Sequence, residues 1–361
     1  MALPTRGRAV AARQAHNLEV AGSSPAPATA HNYRPPGLKV EKTIQGFLQF
    51  KAAAGLSKRT IEAYAADLRR WLEYQGDTEI EKITVLELRQ YLIYMLNEYR
   101  PRRLTGNNDI PLSPKTVRNI WVTLSALFHW VSDEFGMPNP MKKVAAPKFE
   151  RIPVDPFTHE DVEALLKACD YCEEAKTDAR RKFTMRRPTA LRDKALILTL
   201  LDSGLRASEA CALDIGDLDM KVGKLIVKHG VEGGAKGRKG RVVFLGKTAR
   251  KAIWRYLVSR EDGEDPQAPI FLGKYGHPLN RDTLRQVINS LGKKAGVKKT
   301  HPHRFRHTFA ITYLRSGGDL FTLQALLGHS SLDMVQYYAH VAEVDIADAH
   351  KRASPADNWR L

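Results

Sequence analysis

The sequence predicts a mainly α-helical protein in two domains, the second of them mixed α+β with a small antiparallel β-sheet. Three observations carry that expectation. Apolar residues recur at helical spacing from Leu38 to about Phe135. Prolines at 138, 140, 147, 153 and 156 then rule out a continuous helix and mark a boundary. Beyond them, helical stretches enclose two short β-type runs, Leu225–Lys228 and Arg241–Leu245, on either side of the glycine-rich segment Gly230–Gly240. At 361 residues the chain has room for two cores, since domains commonly hold about 100 to 200 residues.

Residues 1–37 are dominated by Ala, Gly, Ser and Pro without a hydrophobic period, and we expect a disordered tail. No apolar core follows the early arginines, so the start does not read as a secretory signal. Ala15–Thr29 resembles the translated 3′ end of a tRNA gene, with Gly22-Ser23-Ser24-Pro25 standing where the T-arm consensus would be read.

Val40, Ile44, Phe47 and Leu48 then set the first helical stripe, and Gly55 ends it. Ser57 is placed to cap a second helix with Ile61, Tyr64, Leu68, Trp71 and Leu72 on one side. Thr84 followed by Glu87 is a capping box opening a third helix through Leu96. Ser113-Pro114 supplies the cap and first-turn proline of a fourth, with Val117, Trp121, Leu124 and Phe128 on its apolar face. The expected helical domain spans 38–136, and its aromatic stripes read as core. Residues 137–157 add Lys142, Lys143, Lys148 and Arg151 to the prolines and read as an extended linker. The second domain, 158–361, opens with one amphipathic helix read from Thr158 to Glu174. Further helices start near Thr189 and Thr248, and three or four more run from Asp282 onward.

The net charge of +17 and pI of about 9.7 favour a polyanionic partner. The basic residues are clustered. Lys176, Arg180, Arg181, Lys182, Arg186 and Arg187 face only Asp178, and Lys293, Lys294, Lys298, Lys299, Arg304 and Arg306 have no acid among them. With 43% hydrophobic residues and no run approaching the roughly 18 apolar residues a bilayer span needs, we expect a soluble cytoplasmic protein with no membrane partner. Cys169 and Cys172 form a lone C-x-x-C without the further ligands of a zinc site, so they read as reduced thiols.

The second half of the chain spaces Arg206, Lys236, His303, Arg306, His329 and Tyr338 with no matching acidic cluster. Fixed cations of this kind can surround a phosphodiester and stabilise developing negative charge, a task otherwise given to a metal ion. Arg206 follows the turn at Gly204, and its bland alternative is a structural pair with Glu209. Lys236 lies among glycines 233, 234, 237 and 240, where a mobile tip can reach a ligand and a lysine can donate a proton. Arg238, Lys239 and Arg241 compete for that role. His303 and Arg306, three apart, share one helix face, whereas Arg304 and His307 are expected to point elsewhere. Gly328-His329-Ser330-Ser331 closes one helix and caps the next, which carries Tyr337 and Tyr338. Neighbouring helical residues lie about 100° apart, so only one of the two tyrosines can face a site.

SGLRASE, KGRKGR, HPHRFRHTFA and LLGHSS followed by YYAHV occur in this order, and together they resemble the tyrosine recombinase (phage integrase) family over about Lys39 to Ala347. The resemblance implies a core-type, SAM-like DNA-binding domain over 38–136 and a catalytic domain from 158 with a C-terminal tail. It implies that Arg206 and Arg306 bind the non-bridging oxygens of the scissile phosphate. Lys236 would protonate the leaving 5′-hydroxyl, His303 would assist proton transfer, and His329 would hydrogen-bond the phosphate. Tyr338, nine residues after His329, would form the 3′-phosphotyrosine, with Glu209 buttressing Arg206. Neither cofactor nor metal is implied. Arg304 departs from the apolar pair usual between the histidine and arginine of that box.

The partners implied are double-stranded DNA, three further copies of the chain in a synaptic tetramer, and accessory DNA-bending or directionality factors. The tail from Asp345 to Leu361 would dock on a neighbouring subunit. The tRNA-like segment favours integration or excision of a mobile element, with resolution of chromosome dimers as the alternative. A type IB topoisomerase would use a similar residue set without pairing two sites, and a non-catalytic DNA-binding protein would not need the tyrosine.

Overall fold

The computed structural model describes residues 37–102, 108–150, 155–172, 175–177, 180–183, 185–228, 240–328, 333–342, 350, 354 and 356. Residues 1–36 of the tail expected over 1–37 lie outside the described residues, as does most of Asp345–Leu361. The chain divides into two compact units, Met1–Arg151 and Ile152–Leu361.

The first unit is built on α1 (Val40–Ala53), α2 (Lys58–Gln75), α3 (Val85–Asn97) and α4 (Pro114–Phe135). The starts of α2, α3 and α4 each follow from a local cap. Ser57 accepts the Thr60 N–H, Ser113 accepts the Thr116 N–H beside Pro114, and Thr84 and Glu87 form the reciprocal box. The stripes meet in one core of Val40, Phe47, Leu68, Trp71, Leu88, Tyr91, Leu124 and Phe128. The aromatic residues read as core are indeed core: Trp71 packs edge-on against Phe128 at 5.7 Å between centroids. Met137, Met141 and Val144 are buried in this core too, and the Trp121 indole donates to the Val144 carbonyl at 3.0 Å. The proline-rich span 137–157 is therefore no free tether at either end, because Phe157 is buried in the core of the second unit.

The Tyr91 hydroxyl is buried without a hydrogen-bond partner, a state that costs about 1–3 kcal/mol. Tyr91→Phe should therefore raise the denaturant-derived stability by about 1 kcal/mol. A loss of that size instead would mean the hydroxyl is bonded.

The second unit begins with α5 (His159–Ala168), then β1 (Ala175–Thr177) and β2 (Arg180–Phe183). The helix read through Glu174 is thus six residues shorter than expected. Glu173 and Glu174 would have sat at the negative end of its dipole, and the chain turns instead into an antiparallel hairpin. The Cys172 N–H donates to the Met185 carbonyl at 2.7 Å and the Arg187 N–H to the Asp170 carbonyl at 2.9 Å, and Lys176, Arg180, Arg181 and Lys182 of the basic stretch lie on the two strands of this hairpin. It is a second two-stranded sheet beside the one expected. Cys169 is a free buried thiol, pushed up to about 12 by burial and then by Asp193, and Cys172 is free as well.

Next come α6 (Ala190–Ser203), α7 (Ala207–Cys211), β3 (Lys224–Val227) and β4 (Arg241–Phe244). The two strands pair antiparallel with Lys224 opposite Phe244 and Val227 opposite Arg241. They are followed by α8 (Lys247–Val258), α9 (Arg281–Lys294), α10 (Pro302–Arg315), α11 (Leu320–Leu327) and α12 (Asp333–Ala342). Leu196, Leu200, Leu205, Ile253, Leu284 and Phe305 centre the main core, and α10, α11 and α12 enclose a smaller one around Ile311, Leu323, Leu327, Val335 and Tyr338. Among the described residues no helix is long and apolar enough to cross a membrane.

Candidate active site

Gly204 closes α6 with φ +60°, and a β-carbon there would stand 2.4 Å from the Phe309 ring. Both the left-handed backbone and the close approach require glycine. The turn it makes aims the Gly204 carbonyl at Arg306, whose Nη1 donates to it at 2.7 Å. The other nitrogen, Nη2, donates to the Leu327 carbonyl at 2.7 Å. Arg306 is 2% exposed and lies between the ends of α6 and α11, its guanidinium donating to a backbone carbonyl at each. Burial, and then the nearby Arg206, push it down to about 9, so it stays charged at neutral pH. Gly204→Ala should strain the turn and displace that carbonyl. A melting temperature lowered by several degrees is the expected result, read by thermal unfolding.

Arg206 is the residue before α7, and Glu209 sits in the first turn of that helix. The Glu209 carboxylate accepts the Arg206 backbone N–H at 2.8 Å and its Nη1 at 2.8 Å. The sequence offered this pair as the bland alternative to a site arginine, yet the carboxylate is not exclusive to Arg206. Arg241, first residue of β4, donates Nη1 to Oε1 at 2.9 Å and Nη2 to Oε2 at 2.7 Å. Burial alone would raise the Glu209 carboxyl. The hydrogen bonds and charge of Arg241, then those of Arg206, outweigh it and hold the carboxyl at about 2.

On α10, His301 caps the helix by accepting the Arg304 N–H, and Pro302 occupies the first turn. His303 keeps part of its ring open to solvent. Partial desolvation, then Arg306, His301 and Arg206, lower its pKa below the usual imidazole range. Arg304, whose charge had no evident use, stacks on Phe157 at 4.0 Å. It also donates to the carbonyls of Asp155 and Lys298 at 3.0 and 2.7 Å, fastening the segment before α5 to α10. Phe157 N–H adds a 2.8 Å bond to the Thr308 hydroxyl.

His307 does not point away, contrary to the expectation drawn from the i,i+3 spacing of His303 and Arg306. It is four residues from His303, one helical turn on, and its ring lies 5.7 Å from that of His303 and 5.4 Å from that of Tyr338. Its Nδ1 is buried without a hydrogen-bond partner. Burial, then His303, His301 and Arg306, lower it to about 4, so it is neutral at physiological pH.

Tyr338 is 2% exposed and faces this group from α12, whereas Tyr337 is half-buried with its ring 5.8 Å away. Burial raises the Tyr338 pKa, Arg306 and Arg206 lower it, and Tyr337 adds to the rise; the net direction is upward. Arg206, Glu209, His303, Arg306 and Tyr338 therefore come together from α7, α10 and α12. Lys236 and His329 lie outside the described residues. Two neighbours had a different place in the sequence reading, Arg241 as a competitor of Lys236 and His307 as a residue pointing elsewhere. Arg241 was submerged in a run of basic residues, and its strand register opposite Val227 was the available clue. His307 was discoverable from its i,i+4 spacing to His303. Chemically, two fixed guanidinium groups beside a buried phenol and two neutral imidazoles suit an anionic tetrahedral centre attacked by the phenol oxygen.

Comparisons with known proteins match the phage integrase family over residues 156–344, and the N-terminal SAM-like domain of phage integrases over residues 44–135. The chain is 30% identical over 321 residues to tyrosine recombinase XerC of Thermodesulfovibrio yellowstonii, covering 86% of this chain and 96% of that protein. It is also 30% identical over 320 residues to tyrosine recombinase XerD of Listeria monocytogenes, covering 86% and 98%. The fold is similar to the Tn1549 transposon integrase in complex with a circular intermediate DNA, with TM-score 0.65, 21% identity, and 83% and 95% of the two chains covered. With the matched profile spanning more than half of its length, the chain belongs to the phage integrase family, the tyrosine recombinases.

Proposed function

We propose that this protein is a site-specific DNA recombinase that cleaves and rejoins double-stranded DNA through a 3′-phosphotyrosine at Tyr338, without metal or ATP. One observation carries the reading: Tyr338 lies buried with its ring 5.4 Å from that of His307, against the helix that also carries His303 and Arg306. In the cleavage step the Tyr338 oxygen forms a bond to phosphorus and the bond from phosphorus to the 5′ oxygen breaks. Arg206 and Arg306 neutralise the non-bridging oxygens. His303 takes part in removing the phenolic proton, Lys236 gives one to the leaving 5′ oxygen, and His329 hydrogen-bonds the phosphate. Rejoining runs the same step backwards with a 5′-hydroxyl as nucleophile, so the phosphodiester energy is conserved in the enzyme–DNA bond.

The helical unit, 38–136, is the second half of the DNA grip, 137–157 joins it to the catalytic unit, and strand exchange takes place in a tetramer across two sites, with accessory DNA-bending or directionality factors as further partners. The net charge of +17 supports a polyanionic substrate. The tRNA-like segment Ala15–Thr29 supports integration and excision of a mobile element. Resolution of chromosome dimers is the second reading, favoured by the XerC and XerD relatives.

The test is a nicked duplex carrying the site that the protein selects from a random-sequence library. A nick beside the cut lets the 5′ fragment diffuse away, so a covalent adduct should accumulate and survive denaturing gel electrophoresis. No adduct on any selected duplex would refute the proposal. Sequencing the DNA that flanks the gene separates the two biological readings, since an integrated element should end in a direct repeat of a tRNA gene end.

A further inference from the structure

The Glu209 carboxylate has two oxygens and serves two guanidinium groups. Oε1 accepts from Arg206 Nη1 at 2.8 Å and from Arg241 Nη1 at 2.9 Å. Oε2 accepts from the Arg206 backbone N–H at 2.8 Å and from Arg241 Nη2 at 2.7 Å. The fork-on-carboxylate geometry belongs to Arg241; Arg206 has only one side-chain hydrogen bond to the same group. Without Arg241, Glu209 and Arg206 would form a simple pair of zero net charge, a poor partner for a phosphate. With Arg241 present the trio carries one net positive charge, and the carboxylate is shared between the two arginines.

Arg241 also reaches a third element, since its Nε donates to the Leu326 carbonyl near the end of α11 at 2.7 Å. All three guanidinium nitrogens are thus committed to protein partners, so this arginine is not itself presented to a ligand. Its place in the chain matters as well. It stands five residues after Lys236, and Leu326 stands three residues before His329. Gly328, left-handed at φ +63°, leaves room for it: a β-carbon there would lie 3.1 Å from Arg241 Cδ.

We propose that Arg241 is a positioning residue for strand cleavage, occupying the Glu209 carboxylate so that Arg206 keeps its charge and its freedom to bind the scissile phosphate. The inference rests on the recombinase reading and adds a residue to it. Burial opposes ionisation of Glu209, and Arg241 is the largest influence acting the other way. The role differs from that of Arg206 and Arg306: Arg241 touches no reacting atom and acts through another arginine.

The experiment measures the single-turnover rate of covalent adduct formation at saturating protein, on the nicked duplex described above, for Arg241→Gln, Glu209→Gln and the double variant. Arg241→Gln should slow the step by about 10- to 100-fold while duplex affinity changes by less than about threefold. In the Glu209→Gln background, where no carboxylate remains to capture Arg206, the same substitution should cost less than about threefold. A part played only in packing β4 against α11 would give losses that multiply, and that result overturns the proposal. Arg241→Lys, which keeps a cation on the carboxylate, should recover at least about fivefold of the loss, and it carries the same cycle if Arg241→Gln does not fold. Wild-type protein that forms no adduct overturns the recombinase reading and this inference together. Wild-type adduct formation matched by Arg241→Gln overturns this inference alone.

Discussion

Replacing Tyr338 by Phe is expected to lower covalent adduct formation on the nicked duplex by at least about a thousandfold, because the only heavy atom lost is the proposed nucleophile. The benzene ring would remain against His307, where the present rings lie 5.4 Å apart, so the fold and duplex binding should survive. Tyr337→Phe is the matched control and should cleave at close to the wild-type rate. Adducts formed by Tyr338→Phe, or lost in Tyr337→Phe, would reverse the choice between the two tyrosines.

The pH dependence follows from the same surroundings. Tyr338 is raised above its ordinary value, so almost none is ionised at pH 7 and a neighbouring base must take its proton. His303 and His307 are both lowered, the second to about 4, and a lowered imidazole is neutral at pH 7 and becomes protonated only in acid. The groups facing the phenol are Arg206, Arg306, His307 and Tyr337, with His303 packed on His307. The cleavage rate should consequently hold as pH falls from 8 to 7, and its acid limb should lie below the ordinary imidazole pKa of about 6.5. An acid limb centred above pH 7 would place the proton acceptor elsewhere.

Arg306→Gln is expected to slow cleavage by about 100- to 1,000-fold, the usual cost of removing one preorganised donor from a developing oxyanion. Its effect on stability is the balance of opposing contributions. The Gly204 and Leu327 carbonyls lose charged donors at 2.7 Å, which costs about 1–3 kcal/mol for each one left unsatisfied. Against that, a cation at 2% exposure no longer has to be desolvated. The rate should therefore fall much further than the melting temperature. Arg306→Lys keeps the charge but cannot span both carbonyls with a planar fork, and it should also cleave at least about tenfold more slowly. A lysine variant with the full wild-type rate would mean that charge alone suffices.

Much of this architecture was legible before any coordinates. The starts of α2, α3 and α4 follow from Ser57, Thr84 with Glu87, and Ser113-Pro114, because capping is a contact between residues three apart and needs no tertiary information. The strands on either side of the glycine-rich segment appeared within a residue of where the β-type runs lay. The amphipathic reading through Glu174 failed because a helix end depends on what the departing chain can pair with. Here that was Met185 and Arg187, thirteen and more residues downstream. Arg304 looked superfluous for a related reason: its partners, Asp155, Phe157 and Lys298, are brought together only by folding.

Spacing along the chain determined the chemical inventory: which cations, imidazoles and phenols were available, and which shared a helical face. It also determined that Gly204 and Gly328 would end helices, since only glycine enters the left-handed region at little cost. What it could not apportion was each carboxylate and carbonyl among competing donors. Glu209 had one arginine three residues away and another thirty-two residues away, and in the folded chain the distant one takes the fork. Likewise the choice of Tyr338 over Tyr337 as the inward ring is made by the packing of α12 on α10 and α11. Hydrogen bonds and burial act over a few ångströms in space regardless of separation in sequence, so tertiary contact, not local pattern, decided which charges remain available for catalysis.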